Sequence, residues 1–425
     1  MVTFLDNNDK INIDNSVAEI RDAINDKMLK DNPTGTGSFS LNRIPASTIG
    51  DYSFAEGLMI TASGENSHAE GAYTEATGYT SHAEGRNAIA SGDYSHAEGL
   101  ETQGTGYVSH AEGNKTFANG NYSHAEGIQT YAYGAYSHAE GRETEAGKVD
   151  DTLITAAHAE GWRAKAIGNV SHAEGLATTA SGNYSHAEGS RTTALANQHA
   201  QGHYNNTTTA TAGSSSGTTG TAFVIGNGTS TSATSNAFRV QYDGAVYAKA
   251  AYNASGADYA EYFEWFDGNP LNEDRRGYFV TLHGNKITIA DKYDYVLGIV
   301  SGQPSVIGNS DEEWMGRYIT DEFGAFIMEE FEYEVTKSNK TVEIKKGMRY
   351  KENPNYDNSL PYVQRADRPE WSAVGMLGVL AVRDDGTCEV NGFAEVADGG
   401  IATAAEGGYR VIERVSDNVV KIIFK

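Results

Sequence analysis

The chain has 425 residues, with 32 Lys and Arg against 57 Asp and Glu, for a formal charge of −25. So acidic a surface repels phosphate backbones and speaks against nucleic-acid binding. The single cysteine, Cys388, excludes intrachain disulfides and Cys-rich zinc sites, and without a run of 18 apolar residues no membrane insertion is expected.

In chain order, Met1 to Lys10 lacks the apolar core of a signal peptide, so synthesis in a bacterial cytoplasm is expected. Asn15 to Lys30 predicts a short helix. Asn15 or Ser16 can cap it, and Val17, Ile20, Ile24 and Met28 share one face. That near-heptad stripe suits a three-stranded coiled coil or a docking helix. With the Pro33/Gly35/Gly37 linker it makes up an N-terminal segment, residues 1–49.

Residues 50–203 are repeats. Ser-His-Ala-Glu-Gly starts at Ser67, Ser81, Ser95, Ser109, Ser123 and Ser137, every 14 residues. A six-residue insertion precedes the next copy, in which Ala157 replaces Ser; Ser171 and Ser185 then resume the step. Between copies runs Ala-x-Gly, as in Ala76-Thr77-Gly78 and Ala90-Ser91-Gly92. A unit this short holds two strands and two tight turns, with glycine where the chain bends. Large aliphatic residues are scarce, so Ala, Ser and Thr must fill a narrow interior. A mainly β solenoid follows, and its thin core argues for oligomerisation.

In each copy His and Glu are two apart and share a strand face. The ladder is His68 and Glu70, His82 and Glu84, His96 and Glu98, His110 and Glu112, His124 and Glu126, His138 and Glu140, His158 and Glu160, His172 and Glu174, and His186 and Glu188. It reads as charge-assisted pairs lining a contact between subunits, stressed by acid if the imidazoles are buried and neutral. A metal column is the sharper alternative. The structural ladder is favoured, so no metal and no cofactor are expected. Tyr94, Tyr122, Tyr136 and Tyr184 precede the Ser of their repeats, as does Tyr52. Such an aromatic column could bind a glycan or a protein.

Residues 204–257 read as a Thr/Ser/Gly-rich linker and β stalk, with two strands meeting at Asp243-Gly244. From residue 258 to 425 the composition is that of a β-rich globular domain. At its start lie Asp258 and Glu261, two carboxylates that could divide general acid and base roles. Because Asp258 follows Ala257, an N-to-O acyl shift at that bond is closed; it needs Ser, Thr or Cys. A Ser255–Lys249 dyad is a weaker rival, and Cys388 reads as an inert strand residue.

The repeat, Ala-x-Gly followed by Ser-x-Ala-x-Gly, resembles the head repeat of trimeric autotransporter adhesins. The resemblance implies a left-handed parallel β-roll that trimerises side by side. Gly256 to Trp265 and the domain after it resemble the self-cleaving intramolecular-chaperone domain of phage tail-fibre and appendage proteins, a glutamic-type peptidase family. That resemblance implies cleavage between Ala257 and Asp258, with Asp258 and Glu261 as the acidic pair. Ala257 stands where a small hydroxyl residue is expected. Together the resemblances imply a homotrimer that attaches to a phage tail or baseplate through its N-terminus and to a host-surface glycan or protein. A bacterial surface adhesin and a metal-binding His-rich solenoid are the alternatives.

Overall fold

The structure, a computed structural model, describes residues 17–20, 38–41, 48–148, 155–213, 219–310, 315–336, 341–357 and 359–425. It divides into two units, 1–252 and 253–425. Residues 17–20 are helical, with Val17 and Ile20 exposed. The rest of the expected helix, including Ile24 and Met28, lies outside the described residues.

The first unit is the β-solenoid the spacing predicts. Eleven strands, from Phe54–Leu58 to His199–His203, stack in parallel, one per repeat. The two-residue strands between them, from Thr61–Ala62 to Thr193–Ala194, form a second parallel sheet. Register is exact along the stack: His96 pairs with His110, and His110 with His124. The insertion leaves it undisturbed, because His158 pairs with His138.

The repeat residues explain the coil. Alanines of the strands point inward and are fully buried, as at Ala111, Ala118, Ala125 and Ala132, with Gly104 taking the place in one strand. Threonine fills the corner column at Thr102, Thr116, Thr130 and Thr144. The repeat serine closes a turn: the Ser123 hydroxyl donates to the Gly120 carbonyl at 2.6 Å, joining the two motifs into one device. The glycines are sterically required. Gly99 has φ +116°, and a Cβ there would sit 2.1 Å from the Gly113 oxygen of the next coil.

At the far end, Gln198 occupies the serine column and is buried; its amide reaches the carbonyls of Ala210, Thr211 and Thr221. Within the segment read as linker and stalk, Thr221–Asn227 extends the first sheet in parallel with His199–His203. It is followed by the antiparallel strands Asn236–Gln241 and Val246–Ala248, which flank the Asp243-Gly244 turn.

The second unit is built around the 13-residue strand Trp371–Arg383. Asp258–Glu264 pairs antiparallel with its first half and Val419–Phe424 with its second. Gly298–Val300 joins at Val374 and Gly375. Two apolar clusters lie in the unit, one around Phe279, Leu380, Val411 and Ile422, the other around Trp265, Val280, Ile287 and Val374. Cys388 is buried, its thiol pushed up to about 11 mainly by burial, and it lies in a loop rather than on the expected strand.

Candidate functional site

The Asp258–Glu264 strand begins where an exposed chain turns inward. Ala257 is exposed and Asp258 is 4 % exposed. The segment is gripped on both sides by backbone. Gly256 presses on the 303–305 loop so closely that a Cβ would lie 2.3 Å from the Gln303 oxygen. The Ser305 N–H and hydroxyl both donate to the Asp258 carbonyl at 2.8 Å. Across the strand pair, the Val379 N–H donates to the Ala257 carbonyl at 3.2 Å. The carbonyl of the Ala257–Asp258 peptide is thus already polarised by a fixed donor, as acyl transfer requires.

The Asp258 carboxyl points into the fold. Burial raises its pKa above the usual aspartate value, and a hydrogen bond from Ser301 only partly opposes this. Its Oδ2 is buried without a hydrogen-bond partner. Gly375 makes room for it, since a Cβ there would lie 2.6 Å from Oδ2. A cleft of about 750 Å³ runs beside the peptide, bordered by Ser301, Gln303 and Val379.

Glu261 lies elsewhere. The strand alternates, so Asp258 and Ala260 are buried while Tyr259 and Glu261 share the other face. The Tyr259 hydroxyl donates to Glu261 Oε1 at 2.5 Å, and the Glu261 side chain lies against Gly308. The two carboxylates expected to act as a pair are therefore on opposite faces of one strand. The rival dyad has separate partners: Lys249 donates to Ser235, and Ser255 accepts from Gln303. Val379, Ser301 and Ser305 were not visible as site residues in the sequence. Their one signal is Gly375 and Gly378 inside an apolar run, glycines that mark close approach of another backbone.

The ladder forms a second candidate site. The imidazoles from His68 to His199 stack at 4.5–4.9 Å between ring centroids, close to the spacing of neighbouring strands. Each is half-buried. Burial and the neighbouring rings hold His96, His138 and His172 below the usual histidine value. The carboxylates form an adjacent column, and a hydrogen bond shared with Glu160 does most to push Glu140 up to about 7. A groove of about 880 Å³ follows Glu126, Glu140, Glu160, Glu174 and Glu188.

Tyr94, Tyr122, Tyr136 and Tyr184 are exposed at left-handed turn positions, as is Tyr52. Tyr79 and Tyr107, outside the expected column, join Tyr94, Tyr122 and Tyr136 in a stripe of ring contacts at 5.2–5.6 Å. Among the described residues, Tyr184 takes no part in that stripe.

Comparison with known proteins bears on the second unit above all. The chain is 38 % identical over 168 residues to a pre-neck appendage protein of Bacillus phage B103, covering 38 % of this chain and 18 % of that protein. It is 37 % identical over 169 residues to the putative phage-related protein YobO of Bacillus subtilis strain 168, covering 39 % and 20 %. The chain thus spans about a fifth of the length of these relatives. A solved C-terminal fragment of bacteriophage phi29 gene product 12 is 32 % identical and covers 40 % of this chain and all of that one, with a TM-score of 0.32. The pre-mature form of that product is 20 % identical over 92 % of this chain and 40 % of the other, with a TM-score of 0.38. A family model, the IMC autoproteolytic cleavage domain Peptidase_G2, matches residues 200–420. With half of its length in that match, the chain belongs to the Peptidase_G2 family of autoproteolytic cleavage domains.

Proposed function

We propose that the chain cuts itself once, between Ala257 and Asp258, and that it serves as a subunit of a phage appendage. The hydrogen bond from the Val379 N–H to the Ala257 carbonyl carries the cleavage reading. It fixes the peptide and stabilises the oxyanion formed as water adds to the carbonyl carbon. Asp258, raised by burial, is suited to keep a proton and deliver it to the leaving amide nitrogen as the C–N bond breaks. Glu261, a glutamate as the family resemblance implies, takes the proton of the attacking water. Because it faces away from Asp258, it serves the peptide of a neighbouring copy, and cleavage waits for assembly. A bond held beside its own acid reacts at high effective molarity.

The appendage reading rests on the printed identity of the relatives, pre-neck appendage proteins of Bacillus phages. The homotrimer rests on the likeness of the solenoid to adhesin heads and on the open groove beside the glutamate column, which two further copies would cover. A virion location, attachment to the particle through the N-terminus and a host glycan or protein on the tyrosine stripe complete the proposal. Sequencing the amino terminus that appears in purified protein tests the cut. Asp258-Tyr259-Ala260-Glu261 is the expected start, and any other new terminus contradicts it.

A further inference from the structure

From the His–Glu ladder we infer a column of divalent transition-metal sites of the zinc type, each built from one imidazole and two carboxylates of a single chain. The sequence reading favoured a purely structural ladder; three geometric facts alter that balance.

First, the Nε2 atoms of all ten ladder histidines, from His68 to His199, are buried and accept or donate no hydrogen bond. Second, in nine of them Nε2 approaches a glutamate oxygen at 3.5–3.9 Å. That is too long for a hydrogen bond. It is near the separation of about 3.3–3.5 Å between two ligands of one tetrahedral zinc, given bonds of about 2.0–2.2 Å. Third, the contact changes partner once along the stack, from the own-coil glutamate at His68 to His124 to the preceding coil's glutamate at His158 to His199. His82 and His110 approach the glutamate of their own coil, while His172 and His186 approach that of the preceding one. Imidazoles such as His82, His110, His124 and His138 lie between two carboxylates, while at the far end Glu188 lies between His186 and His199. Groups such as Glu70, His82 and Glu84, or Glu98, His110 and Glu112, place three ligand atoms within 4.8 Å of one another.

The chemistry favours a cation. Carboxylates stacked in a column repel one another, and among the described residues the ion pairs of the ladder glutamates are with histidines, while Arg142 at the end of its strand pairs with Glu143 instead. Imidazole with carboxylate selects zinc-like ions over calcium or magnesium. Neighbouring groups share a glutamate, as Glu112 and Glu126 are shared around His124. Filling every coil would place like-charged ions one strand spacing apart, so alternate coils fill first. All the ligands come from one chain, so the inference does not rest on self-cleavage or on the trimer.

The test is to express the untagged full chain in zinc-supplemented medium, desalt it and count bound zinc by plasma mass spectrometry. About four ions per chain are expected, one for every second coil. A triple variant, Glu112→Gln, Glu126→Gln and Glu140→Gln, removes central ligands with little change of shape. It should lose about half of that zinc, with the solenoid's circular dichroism unchanged. Less than one zinc per wild-type chain overturns the inference, as does an unchanged count in the folded variant. Should the variant fail to fold, the wild-type count decides alone.

Discussion

At the residue scale, Asp258 combines two roles in tension. It is buried at 4 % exposure with an unpartnered Oδ2, which a chain selected for stability alone would avoid. Burial raises its folded pKa above the value near 3.8 of an exposed aspartate. The folded protein therefore keeps a proton that the unfolded chain releases. Its contribution to stability is complete below about pH 3.8 and is lost as pH rises through the raised folded value. Asp258→Asn, in a Glu261→Ala background expected to stay uncut, should raise the melting temperature of the second unit at pH 7, and the gain should vanish near pH 3. Calorimetry across that range checks it; a gain that grows in acid would contradict the assignment. The motif was legible in the sequence, whereas its geometry was read too simply. Residues three apart share a face on a helix but not on a strand, and this segment is a strand. The Val379 donor was invisible because a backbone N–H carries no side-chain signal, and its partner lies far along the chain.

At the element scale, the solenoid is specified by small residues held at strict spacing. The 14-residue period exposed the fold because each coil must place the same atoms over its neighbour. Ser123 and Gly120 show how two motifs, three residues apart, form one turn. Gly99→Ala should therefore destabilise the roll by about 1–3 kcal/mol, through a left-handed backbone and a clash with the next coil. A solenoid melting transition lowered by several degrees is the expected readout, and an unchanged one would show that the coils slide apart at little cost. The stretch after residue 204 was harder to read. Its Thr, Ser and Gly suggest a linker by composition, yet Gln198 draws Ala210, Thr211 and Thr221 over the end of the roll. Long-range contacts made by a single buried amide leave no periodic trace.

At the scale of the whole molecule, a repetitive roll and a compact β-rich unit answer different physical needs. Identical coils pair almost as well when slipped by one repeat, so aligning several chains is a problem of register. A globular unit that recognises its own copies can set that register, and cutting it away afterwards makes the assembly irreversible. The opposed faces of Asp258 and Glu261 fit this proposed order, in which the pair would be complete only between chains. The most direct measurement is the intact mass of the purified wild-type chain beside Glu261→Ala. The account predicts that the wild type divides after Ala257 into residues 1–257 and 258–425, while the variant stays whole. Both chains remaining full length, or both dividing, would contradict it.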